Sequence, residues 1–328
     1  INARWGEEHD ISGRLLPMSL RTQDHEIIRT WAFYTIVKSL YHTGDIPWKD
    51  IMVCGFVLAK KGEKISKSKG NAGLSPKELI ENHSADVVRY WAANFKLGTD
   101  TFFSMDEFGT AKRFITKLWN AFRFARPHLQ DIDINAEFEL MPVDRWIIER
   151  CKQTMVYAER LLEQYEIGSA RHKIDDFFWK DFCDNYLEIV KERLYQPEKH
   201  GHRQRLSAQF ALYFCMLNLL KLYAIYVPHI TEYIYQDFFR KHEKSISLHR
   251  LCWETEETVD ENIILFGEKL KDVIAEIRKY KTGKALSMKA EIEKVVIEAD
   301  EKLVGLFEQT INDVKACCHA KEIEIRES

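Results

Sequence analysis

From about Phe108 to Trp253 the apolar residues of this chain recur at steps of three and four. So long a run of that spacing is buried most readily by helices packed on helices. Between Arg145 and Tyr165 the stripe is Ile147, Cys151, Met155, Ala158, Leu162 and Tyr165; Phe210, Phe214, Leu217 and Ala224 repeat it in a later helix. Pro228 is expected to end that helix and begin the next, because proline fits a first turn but not an interior. The pattern predicts an antiparallel bundle whose aromatics are mostly core rather than base-stacking groups.

The flanks do not share this periodicity. Glu26 to Tyr41 reads as a helix with Ile27, Trp31 and Tyr34 on one face. Pro47-Trp48-Lys49-Asp50 reads as a turn into an apolar run at 51–58, a buried strand ending near Lys60. Strand–loop–helix order suits the end of a parallel sheet, where active sites lie off the carboxyl ends of the strands. Gly55 falls inside that strand, where glycine marks close approach by another group. Ser75-Pro76-Lys77-Glu78 has the cap serine, first-turn proline and acid of a helix start. That helix is expected to reach His83, with a second from about Ala85 to Phe95 and a short strand near Thr101-Phe102-Phe103. Beyond about Glu256 a charged helix (263–280), a strand (293–298), a helix (302–314) and a strand (322–325) predict a small α/β unit without a sustained heptad pattern.

A length of 328 residues suggests two domains, and 45% hydrophobic with 30% charged residues argues for a soluble chain. The uninterrupted apolar stretches are shorter than the ~18 residues expected of a membrane span. Seven cysteines without a C-x-x-C pair support neither a disulfide framework nor a zinc site, so reduced thiols and a cytoplasmic setting are expected. No secretory signal is expected. A net charge of −3 leaves any nucleic-acid binding to local basic patches.

Chemistry concentrates in Lys64-Ile65-Ser66-Lys67-Ser68-Lys69-Gly70-Asn71, a loop of three lysines and two hydroxyls leaving the predicted strand. Such a loop suits a polyphosphate, since ammonium groups can follow charge that develops as a phosphoanhydride breaks. Gly62 and Gly70 bracket it and supply hinges for closure. No G-x-x-x-x-G-K-[ST] occurs, which removes a P-loop ATPase.

The order of residues in this loop resembles the KMSKS signature of class I aminoacyl-tRNA synthetases, with Ile65 in the methionine place. Gln23-Asp24-His25-Glu26-Ile27-Ile28-Arg29-Thr30-Trp31 resembles the motif Q-(G/A)-H-(D/E)-I-I-R-T-W of archaeal-type valyl-tRNA synthetases. Ala85-Asp86-Val87-Val88-Arg89-Tyr90-Trp91 with Leu97-Gly98-Thr99-Asp100 resembles the segment that follows the lysine loop there. Phe177-Phe178-Trp179-Lys180-Asp181-Phe182-Cys183-Asp184 and Pro228-His229-Ile230-Thr231-Glu232 are similar to their anticodon-binding helices. The likeness is clearest from about Arg21 to Trp253.

The resemblance implies a mixed fold: the end of a Rossmann-like α/β domain (1–71), a stem-contact fold (72–107), a helical anticodon-binding domain (108–255) and a small α/β appendage (256–328). It implies ATP-dependent activation of valine, with Mg²⁺ accompanying ATP, and transfer to valine tRNA. Lys64 and Lys67 would act on the phosphates, with Ser66 and Ser68 as donors. Ile65, Gly55, His25 and Glu26 would complete the ATP site, with Gly55 against adenine and His25 and Glu26 near the ribose. Ile27 and Trp31 would wall the valine side chain. Asp24 departs from the pattern, which has a small residue there, and an extra carboxylate would alter the phosphate or ribose contacts. Arg203 and Arg205, with Arg240 and Lys241, lie between helical patterns and are candidate tRNA contacts. No metal site, no membrane and a monomer are expected.

Such synthetases open their nucleotide fold with a HIGH-type motif, and none occurs within this sequence. The editing domain that valyl enzymes direct at threonine would also lie upstream. The chain therefore reads as a C-terminal fragment expected to be inactive alone. An isoleucyl-type fragment is a rival, although its motif, E-G-x-D-Q-x-R-G-W, differs from Gln23-Asp24-His25-Glu26. A stand-alone tRNA-binding module is another.

Overall fold

The computed structural model describes residues 16–60, 63–65, 75–134, 136–255 and 258–327. It divides into two units, Ile1–Ala111 with Glu163–Ser169, and Lys112–Leu162 with Ala170–Ser328.

In the first unit β1 (Met18–Asp24) and β2 (Trp48–Cys54) pair in parallel, with Met18 opposite Trp48 and Asp24 opposite Cys54. The crossover between them opens with a 3-10 turn (His25–Ile27) and a π-helical turn (Ile28–Ala32), and continues as α1 (Phe33–Thr43). Gly44, at φ +78°, ends α1 by donating its N–H to Leu40 O at 3.1 Å. The single α-helix expected from Glu26 is therefore three segments. Asp24 starts it by accepting from Glu26 N–H at 2.8 Å. Strand β1 was not expected, since its residues lack clear alternation.

The run expected to be one buried strand breaks at Gly55-Phe56. Strand β2 stops at Cys54 and β3 (Val57–Lys60) belongs to another sheet, antiparallel to β4 (Glu63–Lys64) and parallel to β5 (Thr101–Phe102). The cause is non-local. Thr101 N–H donates to Phe56 O at 2.8 Å, and Phe56 N–H donates to Asp100 Oδ1 at 2.8 Å. Of 51–58 only Leu58 is buried.

Helix α2 (Pro76–His83) starts as expected, and Ser75 and Glu78 form a full capping box. Helix α3 (Ala85–Ala92) ends three residues early, in a turn where Trp91 meets Phe95 edge-on at 4.9 Å. Trp91 also stacks on Phe108 at 4.9 Å, which anchors the start of α4 (Met105–His128).

The second unit is helical, through α5 (Pro142–Glu163), α6 (Ile167–Asp176), a π-helical stretch (Phe177–Tyr186), α7 (Leu187–Ile189), α8 (Lys191–Tyr195), α9 (Pro197–His200) and α10 (His202–Tyr223). The stripe predicted in α5 is buried at Ile147, Cys151, Met155 and Ala158. Leu162 is half-buried, and Tyr165 has left the helix at φ +60°. In α10 the predicted stripe is only half met: Leu217 is buried, as is Ala224 just past the helix, but Phe210 and Phe214 are half-buried while Ala208, Ala211, Leu212, Cys215 and Leu219 are fully buried. This helix runs through the core, so apolar residues surround it and periodicity loses its contrast. It is also long and apolar enough to cross a membrane by length and composition, which corrects the expectation that no segment is. The most apolar window is 83% buried.

Pro228 opens α11 (Pro228–Ile234), followed by a π-helical turn (Tyr235–Phe239) and α12 (Arg240–Glu243). The C-terminal elements are α13 (Glu261–Gly283), β6 (Ile292–Ala299), α14 (Glu301–Cys318) and β7 (Ala320–Glu327). Strands β6 and β7 pair in parallel around the α14 crossover. Helix α14 docks on the bundle through Asp313, whose carboxylate forms an ion pair with the fully buried Arg193 of α8 at 2.9 Å. Arg193 also donates to Asp144 of α5 at 2.8 and 3.1 Å, and Tyr186 and Ser207 donate to Asp144 as well.

Candidate functional site

Parallel strands leave their carboxyl ends side by side, and here Asp24 and Cys54 end β1 and β2 in register. His25 and Glu26 follow the first strand and Gly55 and Phe56 the second, so four consecutive-pair residues meet at one sheet edge. Phe56 is the centre of the group. The His25 ring meets it edge-on at 4.4 Å, and Lys64 Nζ lies 3.8 Å from its centroid. Lys64, delivered by the short β4, also pairs with Glu26 Oε1 at 2.9 Å.

Asp24 has a local role. Its carboxylate caps the 3-10 turn, which fixes His25 and Glu26 at the strand end. Burial, and secondarily the Asp24 charge, push the neighbouring Cys54 thiol upward, so that thiol stays protonated. The close approach marked by Gly55 comes from protein backbone: a Cβ there would lie 2.1 Å from Thr99 O. Trp31 is 56% exposed, and Arg21 lies over its ring at 4.1 Å. Ile27 is half-buried.

Of the residues selected from sequence, the structure thus gathers Lys64, Glu26, His25 and Gly55 around Phe56. Ile65 follows Lys64 and is half-buried. Ser66, Lys67, Ser68, Lys69 and Gly70, and the hinge Gly62, lie outside the described residues. Sequence reasoning missed Phe56, Arg21 and Asp100. Asp100 sat in a quoted motif without a role, and Phe56 had only its position after Gly55 to single it out.

The basic candidates lie on helices rather than in loops. Arg203 and Arg205 occupy the first turns of α10, and Arg240 and Lys241 begin α12. Arg203 is exposed. Arg205 forks onto Asp131 at 2.6 and 3.0 Å, and the fork holds the Asp131 carboxyl below the usual range. Arg240 donates to Gln236 at 2.9 Å, and Lys241 lies 4.8 Å from the Phe238 ring. Among the described residues no group of three or more His, Cys, Asp or Glu could hold a metal ion.

Residues 3–104 match the family model for tRNA synthetases class I (I, L, M and V), and residues 144–297 match the anticodon-binding domain of tRNA ligase. The chain is 40% identical to the valine–tRNA ligase of Wolbachia sp. subsp. Brugia malayi (strain TRS), across 96% of this chain and 36% of that protein. It is 40% identical to the valine–tRNA ligase of Wolbachia pipientis wMel, across 100% and 37%. With that of Ehrlichia ruminantium (strain Welgevonden) it shares 41% across 94% and 38%. The chain thus spans little more than a third of the length of these relatives. Among solved structures it resembles the LeuRS of Agrobacterium radiobacter K84 in a ternary complex with tRNA and LeuAMS, at a TM-score of 0.55 and 18% identity, covering 76% of this chain and 30% of that one. That likeness supports the mixed α/β and helical fold.

Proposed function

We propose, from the premise that this chain belongs to the class I tRNA synthetases and is homologous to their valine-specific members, that it is the lysine-loop and tRNA-binding part of a valine–tRNA ligase. The carrying observation is the identity of about 40% to valine–tRNA ligases along almost the whole of this chain.

In the proposed reaction a valine carboxylate oxygen attacks the α-phosphorus of ATP, supplied with Mg²⁺, and pyrophosphate leaves. The 3′-terminal ribose hydroxyl of tRNA then takes the valyl group and AMP leaves. The first step needs positioning and neutralisation more than covalent help. Lys64 supplies a cation at the sheet edge. Its pairing with Glu26 is half-exposed on both sides, so a phosphate oxygen displaces it at little cost. His25 and Glu26, fixed by the Asp24 cap, are the proposed ribose side, and Ile27 and Trp31 the valine side. Lys67, Ser66 and Ser68 are proposed to add donors from the rest of the loop. A hydrophobic pocket does not strongly reject threonine, and this enzyme family is itself a standard illustration of that limit. The helical unit is proposed to read splayed anticodon bases, in a monomeric, cytoplasmic parent protein.

The test is binding of this chain to transcripts of valine, isoleucine and leucine tRNAs at fixed, near-physiological salt. Preference for valine tRNA, lost when its anticodon is exchanged, supports the assignment. Equal affinity for all three overturns the valine reading and leaves only phosphate attraction.

A further inference from the structure

A cleft of about 1050 Å³ opens in the second unit between the α7–α9 stretch and the ends of α13 and α14. Seven lysine or arginine side chains and only three glutamates line it, in a chain whose net charge is −3. The glutamates are already engaged. Glu188 pairs with Lys191 at 3.0 Å, Glu192 with His200 at 2.9 Å and Lys199 at 3.3 Å, and Glu291 with Lys321 at 3.6 Å. Arg278, Lys281, Lys289 and Lys315 remain without a carboxylate in ion-pair range among the described residues.

Lys281 and His200 make this more than a basic surface. Lys281 is 1% exposed, and among the described residues its ammonium donates only to backbone carbonyls, Met288 O at 2.8 Å and Cys318 O at 2.9 Å. Carbonyls satisfy its N–H groups without neutralising its charge, and a buried cation is normally paired. The His200 side chain is 5% exposed, with Nε2 on Glu192 and Nδ1 lacking a partner among the described residues. In the tautomer that donates Nε2–H to Glu192, Nδ1 is an acceptor without a donor. A phosphate oxygen neutralises Lys281, and a ribose 2′-hydroxyl supplies the donor; RNA carries both on one backbone.

We propose that this cleft binds the sugar–phosphate backbone of an RNA strand, with Lys281 at its floor, Arg278, Lys289 and Lys315 along the phosphates, and His200 accepting from a 2′-hydroxyl. The proposal rests on the tRNA-binding function above and assigns the RNA a contact on the C-terminal α/β elements.

The full chain is titrated with valine tRNA transcript across a salt series. The pair Lys289→Ala and Lys315→Ala is expected to flatten the plot of log affinity against log salt by roughly 1.5, two contacts at about 0.7–0.9 each. It is expected to weaken binding about tenfold near 0.15 M salt. A matched pair, Lys269→Ala and Lys302→Ala, removes exposed charges elsewhere on α13 and α14 and is expected to leave both quantities unchanged. Lysine acetylation of the unaltered chain, read by mass spectrometry, is expected to show tRNA protection at Lys289 and Lys315 but not at Lys269. Equal effects of the two pairs, or no protection while tRNA is bound, overturns the cleft assignment alone. Failure of the unaltered chain to bind any tRNA overturns the functional reading with it.

Discussion

Lys64 is about half-exposed, and its contacts include two weak ones, an exposed carboxylate and a ring face. Surface pairs of the first kind contribute about 0–1 kcal/mol, and exposed cation–π contacts roughly 0.5–1 kcal/mol. Neither is strong enough to make the ammonium a structural element. Lys64→Ala in the intact parent protein is therefore expected to leave the thermal midpoint unchanged while slowing valine-dependent pyrophosphate exchange by roughly 10²–10³. A lost midpoint with unchanged exchange would make the residue structural instead. Gly55→Ala is expected to do the opposite. Its Cβ would enter the Thr99 carbonyl at 2.1 Å, and overpacking against main chain costs about 1–3 kcal/mol or more. Denaturant titration of the chain checks it, and an unchanged midpoint would mean that the 97–100 segment gives way. Lys64 stood out in the sequence because lysines and hydroxyls crowd one short loop and their order, not their density alone, suggests phosphate chemistry. Phe56 was not, because its role depends on Asp100, 44 positions away, and no local pattern carries such a contact.

At the scale of elements, sequence reasoning succeeded where a local signal decided the outcome. Ser75, Pro76 and Glu78 start α2 where expected, and Pro228 opens α11. The βαβ arrangement of β6, α14 and β7 also followed from runs of residues that share one periodicity. It was half right in α10, whose surroundings rather than its own pattern decide which side is buried, and it failed at Gly55, where a strand is cut by a neighbour. Gly267 of α13 shows the same dependence. Alanine gains about 1 kcal/mol over glycine in a helix interior, yet a Cβ at this position would lie 1.9 Å from the indole of the fully buried Trp146. Overpacking outweighs propensity, so Gly267→Ala is expected to destabilise the protein by roughly 2 kcal/mol, measured by chemical denaturation. A gain would show that Trp146 is free to move. Arg193 is the other element-scale pin, joining α8 to α5 and α14. Arg193→Met leaves two buried carboxylates facing each other and is expected to cost about 3–5 kcal/mol. Adding Asp313→Asn should recover part of that loss, and no recovery would place the damage in packing rather than charge.

Over the whole molecule, pH dependence near neutrality falls to two imidazoles, the buried His128 and the half-buried His242, and to Asp313, whose carboxyl burial pushes up to about 6. Burial first, and then the Arg205 charge, push His128 below its ordinary value, with Asp131 opposing. Burial and Lys241 do the same to His242. A base depressed in the folded state takes its proton more readily when unfolded, so its contribution is complete above about pH 6.5 and is lost as pH falls through the folded value. Asp313 acts the other way, adding stability as pH falls through about 6, so the expected signature is a His128→Gln variant whose urea midpoint falls less than that of the unaltered chain between about pH 6.5 and 5. An identical decline in the variant would assign the slope elsewhere. The net charge of −3 gave no hint of the basic cleft, since a sum over the chain hides where lysines collect. The Arg193 pin also has a schedule. Asp144 precedes Arg193 in the chain, whereas Asp313 lies 120 positions after it. At roughly 5–20 residues per second on the ribosome, the last carboxylate emerges about 6–24 s after the arginine. The Arg193–Asp144 pair is thus complete in the chain before the final helix exists, and Asp313 is the last of the three charges to be made.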